Sequence, residues 1–167
     1  MGGFTIRHAE PRDLERILAI YERARAFMTA HGNERQWARR GWPPESVVRN
    51  DIAQKLNYVV EHEGLVVGVF VYLQGEDIDP TYRRIDDGAW IGSGEYGVIH
   101  RIASSGDVKG VGRFVMDWAY SQCPHLRVDT HADNTAMQNL LLSCGFKRCG
   151  IIYVQEDTDP RIAFEKV

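Results

Sequence analysis

Hydrophobic positions along the chain switch between a two-residue period and three- and four-residue steps, and the switches outline alternating strands and helices. Phe4-Thr5-Ile6-Arg7 predicts a first strand, and Pro11 then stands near the first turn of a helix. Leu14, Ile17, Leu18, Tyr21, Ala24 and Met28 give that helix one apolar face, and Gly32 is its stop. A second helix is predicted from Pro43-Pro44-Glu45, with Val48, Ile52 and Leu56 turned inward. Tyr58–His62 and Leu65–Tyr72, joined by Glu63-Gly64, read as a hairpin. A polar segment from Gln74 to Ser93 follows, with Pro80, Tyr82 and Trp90 inside it.

Beyond it, Gly97–Ala103 reads as a strand and Arg113 to about Gln122 as a helix. A strand at Leu126–Thr130 and a helix from about Asn134 to Cys144 come next, with Pro124 and Gly145 where the two helices should end. Ile151–Val154 and Arg161–Glu165 are two closing strands. Hairpins around a central strand-helix-strand crossover predict an α/β fold with a mixed sheet.

Composition narrows the class. With 167 residues, 44% of them hydrophobic, the chain fits a single domain over 1–167 with a substantial core. Met1–Arg7 leads straight into charged sequence and no long apolar run occurs, so neither a signal peptide nor a membrane span is expected. A formal charge of −3 gives no nucleic-acid footprint, and Arg35–Arg40 reads as a solvated face. Cys123, Cys144 and Cys149 have no metal-like spacing, so reduced thiols in a cytoplasmic protein and no metal are expected.

The chemistry concentrates where Gly97–Ala103 breaks into Ser104-Ser105-Gly106-Asp107-Val108-Lys109-Gly110-Val111-Gly112 and then into helix. The first amides of a helix lack intrahelical partners and lie at the positive end of its dipole, so they can hold a phosphate. Gly110 and Gly112 allow close approach to the backbone. Lys109-Gly110-Val111 does not supply the Gly-Lys-Ser/Thr of a nucleoside triphosphate loop, and no third glycine completes a dinucleotide fingerprint. A pyrophosphate-bearing cofactor fits the stretch, and so does a tight strand-to-helix turn whose glycines serve packing.

Two motifs resemble the GNAT (Gcn5-related) N-acetyltransferases over nearly the whole chain. In the frame of their cofactor motif, Arg or Gln, two residues, Gly, one residue, Gly or Ala, this chain reads Asp107-Val108-Lys109-Gly110-Val111-Gly112. Their second signature, Asn-x-x-Ala-x-x-Leu-Tyr followed by Gly-Phe, has a partial counterpart in Asn134–Leu141 and Gly145-Phe146. The resemblance implies a mixed sheet of about six to seven strands flanked by about four helices, and an acetyl-CoA-dependent transferase acting by direct transfer in a ternary complex. It implies backbone contacts from Ile102, Ala103 and Ser104 to the pantetheine arm and thioester. Amides from Val108 to Arg113 would hold the pyrophosphate, and Asn134 would bind the arm. Asparagine is also a good helix N-cap. The sequence departs from the family at Asp107, which replaces Arg or Gln with a negative charge, and at Leu141, where many members carry a tyrosine that protonates the departing thiolate. Lys109 and Arg113 are candidates to offset Asp107.

An amine attacking a thioester needs a base and a polarised carbonyl. Tyr96, Val98, His100 and Ile102 alternate onto one strand face, so His100, which titrates near neutrality, is the first candidate base; a structural histidine is the alternative. Asp129 is the second, at a position resembling the strand carboxylate of some protein N-terminal acetyltransferases, and it shares a face with His131. By resemblance the acceptor site includes Asn33, Gln36 and Trp37 and the segment holding Tyr82 and Trp90. Aromatic rings and the carboxylates of Glu76, Asp77, Asp79, Asp86 and Asp87 favour a cationic amine, while core or rim roles for the tryptophans remain open. A small-molecule amine is the expected acceptor, with a peptide or protein N-terminus, or a non-catalytic CoA-binding module, as alternatives. Many relatives dimerise, so a homodimer is an expectation by resemblance alone.

Overall fold

The computed structural model describes residues 3–167; Met1 and Gly2, where the expectation about a leader begins, lie outside the described residues. Seven strands and four α-helices form a mixed α/β fold, as the resemblance implies. The strand order is β1-β2-β3-β4-β5-β7-β6, with β1 Phe4–His8, β2 Asn57–His62, β3 Leu65–Gly75, β4 Tyr96–Ser104, β5 Leu126–His131, β6 Lys147–Tyr153 and β7 Pro160–Lys166. The helices are α1 Leu14–Ala30, α2 Glu45–Ala53, α3 Val111–Gln122 and α4 Thr135–Ser143. None is long and apolar enough to cross a membrane.

The chain divides into two compact units. One comprises the residues up to Tyr72 together with His100–Val115. Here β1, β2 and β3 pair antiparallel, and α1 buries Ile17, Ile20 and Tyr21 against Val48 and Ile52 of α2, Val59, Val69, Trp37 and Ala103. Removing one such isoleucine side chain to alanine costs roughly 2–5 kcal/mol. Pro11–Asp13 forms a 3-10 turn ahead of α1, closed by the Glu10 amide donating to Asp13 Oδ2 at 2.8 Å. Helix α2 stops before Leu56, which the apolar pattern had placed inside it, because Lys55 takes a left-handed φ of +58°. Gly68 brings α3 onto β3: a Cβ there would stand 2.6 Å from Val111 Cγ1.

The other unit comprises Leu73–Ile99 and Met116–Val167. Strands β4 and β5 pair in parallel at Gly97–Leu126 and Val98–Arg127, and β7 pairs antiparallel with both β5 and β6. The polar segment from Gln74 to Ser93 is tied in by a 3-10 turn at Pro80–Tyr82, by a backbone bridge between Asp86 and Ile151, and by side chains. Its Tyr82 is buried with Tyr96, Val98, Ile152 and Ala163. Fully buried Glu165 accepts from the amides of Ile91 and Gly92, from Arg127 Nε at 3.0 Å, and from His125 Nε2 at 2.6 Å. Burial pushes this carboxyl up, but the hydrogen bonds outweigh it and hold Glu165 below the ordinary carboxylate range.

Candidate functional site

The strand-to-helix turn is anchored at both ends. Ser105 is buried, and its amide donates to Val67 O on β3 at 2.8 Å. Gly106 and Gly110 take φ of +79° and +93°, conformations in which a Cβ is strained, so these two glycines are required by the path of the chain. The first bond of α3 runs from Phe114 N to Gly110 O at 3.0 Å. The amides of Val111, Gly112 and Arg113 therefore open the helix, and Asp107, Lys109, Gly110 and Arg113 beside them are exposed. This is the geometry an anion needs at a helix start.

Asp107 does not face this anion site unopposed. Arg16 of α1 donates from Nε to Val66 O at 2.9 Å and reaches Asp107 Oδ2 from Nη2 at 3.3 Å. The Ser105 hydroxyl, together with Arg16 and Arg23, holds the Asp107 carboxyl below its ordinary range. The guanidinium of Arg23 lies flat against Gly106: a Cβ there would stand 2.6 Å from its Cζ and Nη2 and closer still to Nη1. Arg23 makes no hydrogen bond or ion pair among the described residues, so this α1 face adds more positive charge than Asp107 removes. The sequence reading looked to Lys109 and Arg113 for that compensation; the arginines that touch the turn come from α1, seven residues apart on one helix face, and that spacing was the available signal.

Strand β4 departs from simple alternation. Arg101 has a φ of +49°, which interrupts the pleat. Tyr96 and Val98 pack with Tyr82, while past the interruption Arg101 meets Asp51 of α2 and Ala103 packs into the core under α1. His100 is half-buried, and its charge acts on Asp51 of α2. Burial pushes the Asp51 carboxyl up against the opposing effect of Arg101 and then His100.

Asp129 on β5 accepts from the Tyr82 hydroxyl at 2.7 Å. Burial, with Asp129 next, pushes the Tyr82 phenol well above its ordinary value, so it stays protonated and donates. Trp90 Nε1 donates to Tyr82 O at 2.8 Å, and the Trp90 ring packs 5.3 Å from that of Tyr82. The aromatic cage is occupied from within: the Arg127 guanidinium lies 4.3 Å from the Trp90 ring centroid and 4.4 Å from that of Tyr96. Beside Asp129 on the same strand, His131 is oriented by the Asp133 amide, which donates to its Nδ1 at 3.0 Å, leaving Nε2 to bond Asp159 Oδ2 at 2.8 Å.

Asn33, Gln36 and Trp37 are brought together and are all buried. Asn33 Nδ2 donates to Gln36 Oε1 at 3.1 Å, while Asn33 Oδ1 is buried without a hydrogen-bond partner. Trp37 sits edge-on to Tyr21 in the core, centroids 5.7 Å apart.

No family model matches the chain, and no curated protein matches it in sequence. Solved structures do match. A GNAT-family acetyltransferase of Streptococcus agalactiae is 27% identical, with 99% of this chain and 95% of that one covered, at a TM-score of 0.85. Its neighbours are GNAT-family acetyltransferases, which supports a GNAT assignment for the chain. Two more distant neighbours share the fold. They are a GNAT-family acetyltransferase of Listeria monocytogenes (17% identity, 99% and 97% covered, TM-score 0.70) and a ribosomal-protein-alanine N-acetyltransferase of Brucella melitensis (21%, 98% and 99%, 0.59).

Within this GNAT fold Asn134 caps α4, its Oδ1 accepting from Met137 N at 3.0 Å. Leu141 is fully buried and its carbonyl accepts the Phe146 amide, so it serves the core and carries no proton to donate. The three cysteines are free and buried; burial and Glu165 push the Cys149 thiol up to about 11, which makes it a poor nucleophile near neutrality. Among the described residues no group of three His, Cys, Asp or Glu side chains could hold a metal.

Proposed function

We propose that this GNAT protein is an acetyl-CoA-dependent N-acetyltransferase of one domain, residues 1–167, that acetylates a primary amine of a small molecule. The observation that carries this reading is the exposed start of α3, whose glycine-shaped turn is tied to β3 through Ser105 and whose one carboxylate is drawn back by Arg16. In this reading the amides from Val108 to Arg113 bind the pyrophosphate, the backbone of Ile102, Ala103 and Ser104 binds the pantetheine amides and thioester, and Asn134 binds the arm.

His100 takes the proton from the substrate ammonium. The free amine attacks the thioester carbonyl, a C–N bond forms, and a strand amide at Ile102 or Ala103 stabilises the oxyanion. Collapse breaks the C–S bond, and the extra proton on the attacking nitrogen passes through solvent to the departing thiolate, leaving CoA thiol and the acetylated amine. His100 is preferred over Asp129 because Asp129 already accepts a hydrogen bond from Tyr82, which stabilises its charged form and weakens it as a base. For the acceptor, Asn33 Oδ1 supplies a buried acceptor lacking a donor, a feature that suits an ammonium.

The test is acceptor profiling by mass spectrometry with acetyl-CoA, small amines and peptides of varied N-terminus. The reading expects acetylated small amines, activity lost in His100→Ala and largely kept in Asp129→Asn. Acetylation confined to peptide N-termini would replace the acceptor, and the opposite mutant pattern would replace the base.

A further inference from the structure

Arg101 is a non-glycine residue in left-handed conformation inside a strand, with φ +49°. Such a conformation is sterically unfavourable and persists where its surroundings over-determine it. The surroundings here are two helices. From α2, Asp51 takes both sides of the guanidinium fork, Nε at 3.0 Å and Nη2 at 2.9 Å. From α1, Tyr21 donates its hydroxyl to the Arg101 carbonyl at 2.7 Å. Asp51 is 3% exposed and Tyr21 fully buried, so both interactions are shielded from water and closely defined.

Consequences for the backbone follow directly. The Arg101 carbonyl is fixed in direction by the Tyr21 hydroxyl. Ala103 is turned into the α1 core, and four residues after Arg101 the Ser105 amide is fixed to Val67 O. The Ile102–Ser104 segment thus runs between two fixed points, one made by the Asp51–Arg101–Tyr21 clamp and the other by Ser105.

We propose that Asp51, Arg101 and Tyr21 are positioning residues: by holding Arg101 left-handed they set the directions of the Ile102–Ser104 backbone groups that receive acetyl-CoA. The proposal rests on the acetyl-CoA reading above. The clamp acts through main-chain conformation and touches no reacting atom.

The test separates conformation from side chain. In Asp51→Asn the carboxylate is neutral, so Arg101 can be removed without stranding a buried charge. On that background Arg101→Gly and Arg101→Ala equally lack the guanidinium arm of the clamp and equally keep the carbonyl that Tyr21 bonds, but only glycine takes positive φ freely. Acetyl-CoA dissociation constants are measured by calorimetry, with acetyl-CoA KM, amine KM and melting temperature alongside. The glycine variant is expected to bind acetyl-CoA about tenfold more tightly than the alanine variant, the ratio the steric cost of left-handed alanine implies, with amine KM little different between them. Equal affinity in the two variants, whether both resemble wild type or both are lost, overturns the proposal. Should these variants not fold, Tyr21→Phe removes one hydroxyl alone; an unchanged acetyl-CoA affinity overturns the proposal and a weakened affinity with unchanged amine KM supports it. A wild-type protein that fails to bind acetyl-CoA overturns the cofactor reading itself and the clamp's role with it.

Discussion

Tyr82 and Asp129 stand 47 positions apart in the chain and meet through one hydrogen bond, the buried phenol donating to Asp129 Oδ2 at 2.7 Å. Each was a separate candidate in the sequence, one for the acceptor and one for the base; folding makes them a pair. Tyr82→Phe should destabilise the protein by about 2 kcal/mol, as expected for a buried hydrogen bond to a charged group, measured by urea unfolding. Amine KM should rise while acetyl-CoA affinity stays unchanged.

The same phenol predicts alkaline behaviour. Its folded value lies well above its unfolded one, so its contribution to stability is fully present below about pH 10, the unfolded tyrosine value, and is lost as pH rises beyond. Tyr21, also pushed up by burial, acts in the same direction. Unfolding free energies between pH 9 and 11.5 should fall more steeply for wild type than for Tyr82→Phe.

Acid behaviour has the opposite sign. Arg7 binds both oxygens of Asp13, at 2.8 and 2.9 Å, and holds that carboxyl below its ordinary range against the effect of burial. Its stabilisation is present above about pH 4, the unfolded aspartate value, and is lost as pH falls through the depressed folded value. Asp13→Asn should cost about 2–3 kcal/mol at pH 7 and flatten the acid limb of the stability profile.

Most of the fold was legible because strands, helices and their stops rest on local signals: period, proline and glycine. The turn at Gly106 and Gly110 was legible for the same reason, since glycine reports its own backbone requirement. The reading failed where the determinant was distant. Alternation along β4 assumed an unbroken pleat, and nothing near Arg101 announces its φ of +49°, which depends on Asp51 and Tyr21 from two other helices. The segment from Gln74 to Ser93 showed its polar character and its aromatics but not what packs on it, because Asp129, Arg127 and Glu165 lie far downstream. Arg16 and Arg23 take their role only from the turn they meet, whose Asp107 lies 91 residues downstream of Arg16.

Arg23→Ala should weaken binding of CoA about threefold, the effect of one partly solvated charge, and leave binding of acetyl-pantetheine, which lacks the pyrophosphate, unchanged. An equal loss for both ligands would show that Arg23 supports the fold of the turn rather than attracting phosphate. Raising the salt concentration should shrink the difference between wild type and variant.

Gly110→Ala forces a side chain into φ +93° at the residue that accepts the first hydrogen bond of α3. A loss of about 1–2 kcal/mol in stability is expected, with CoA affinity falling further than that of the control Gly41→Ala, which lies at φ +62° away from the turn. Calorimetry on the two variants side by side reads the difference.

Release of CoA thiol from acetyl-CoA, followed continuously with a thiol reagent while a panel of amines is added, tests the central claim most directly. The account predicts thiol release that depends on both acetyl-CoA and a small primary amine, in equal amount to the acetylated product. Tight CoA binding with no turnover on any amine or peptide would contradict it.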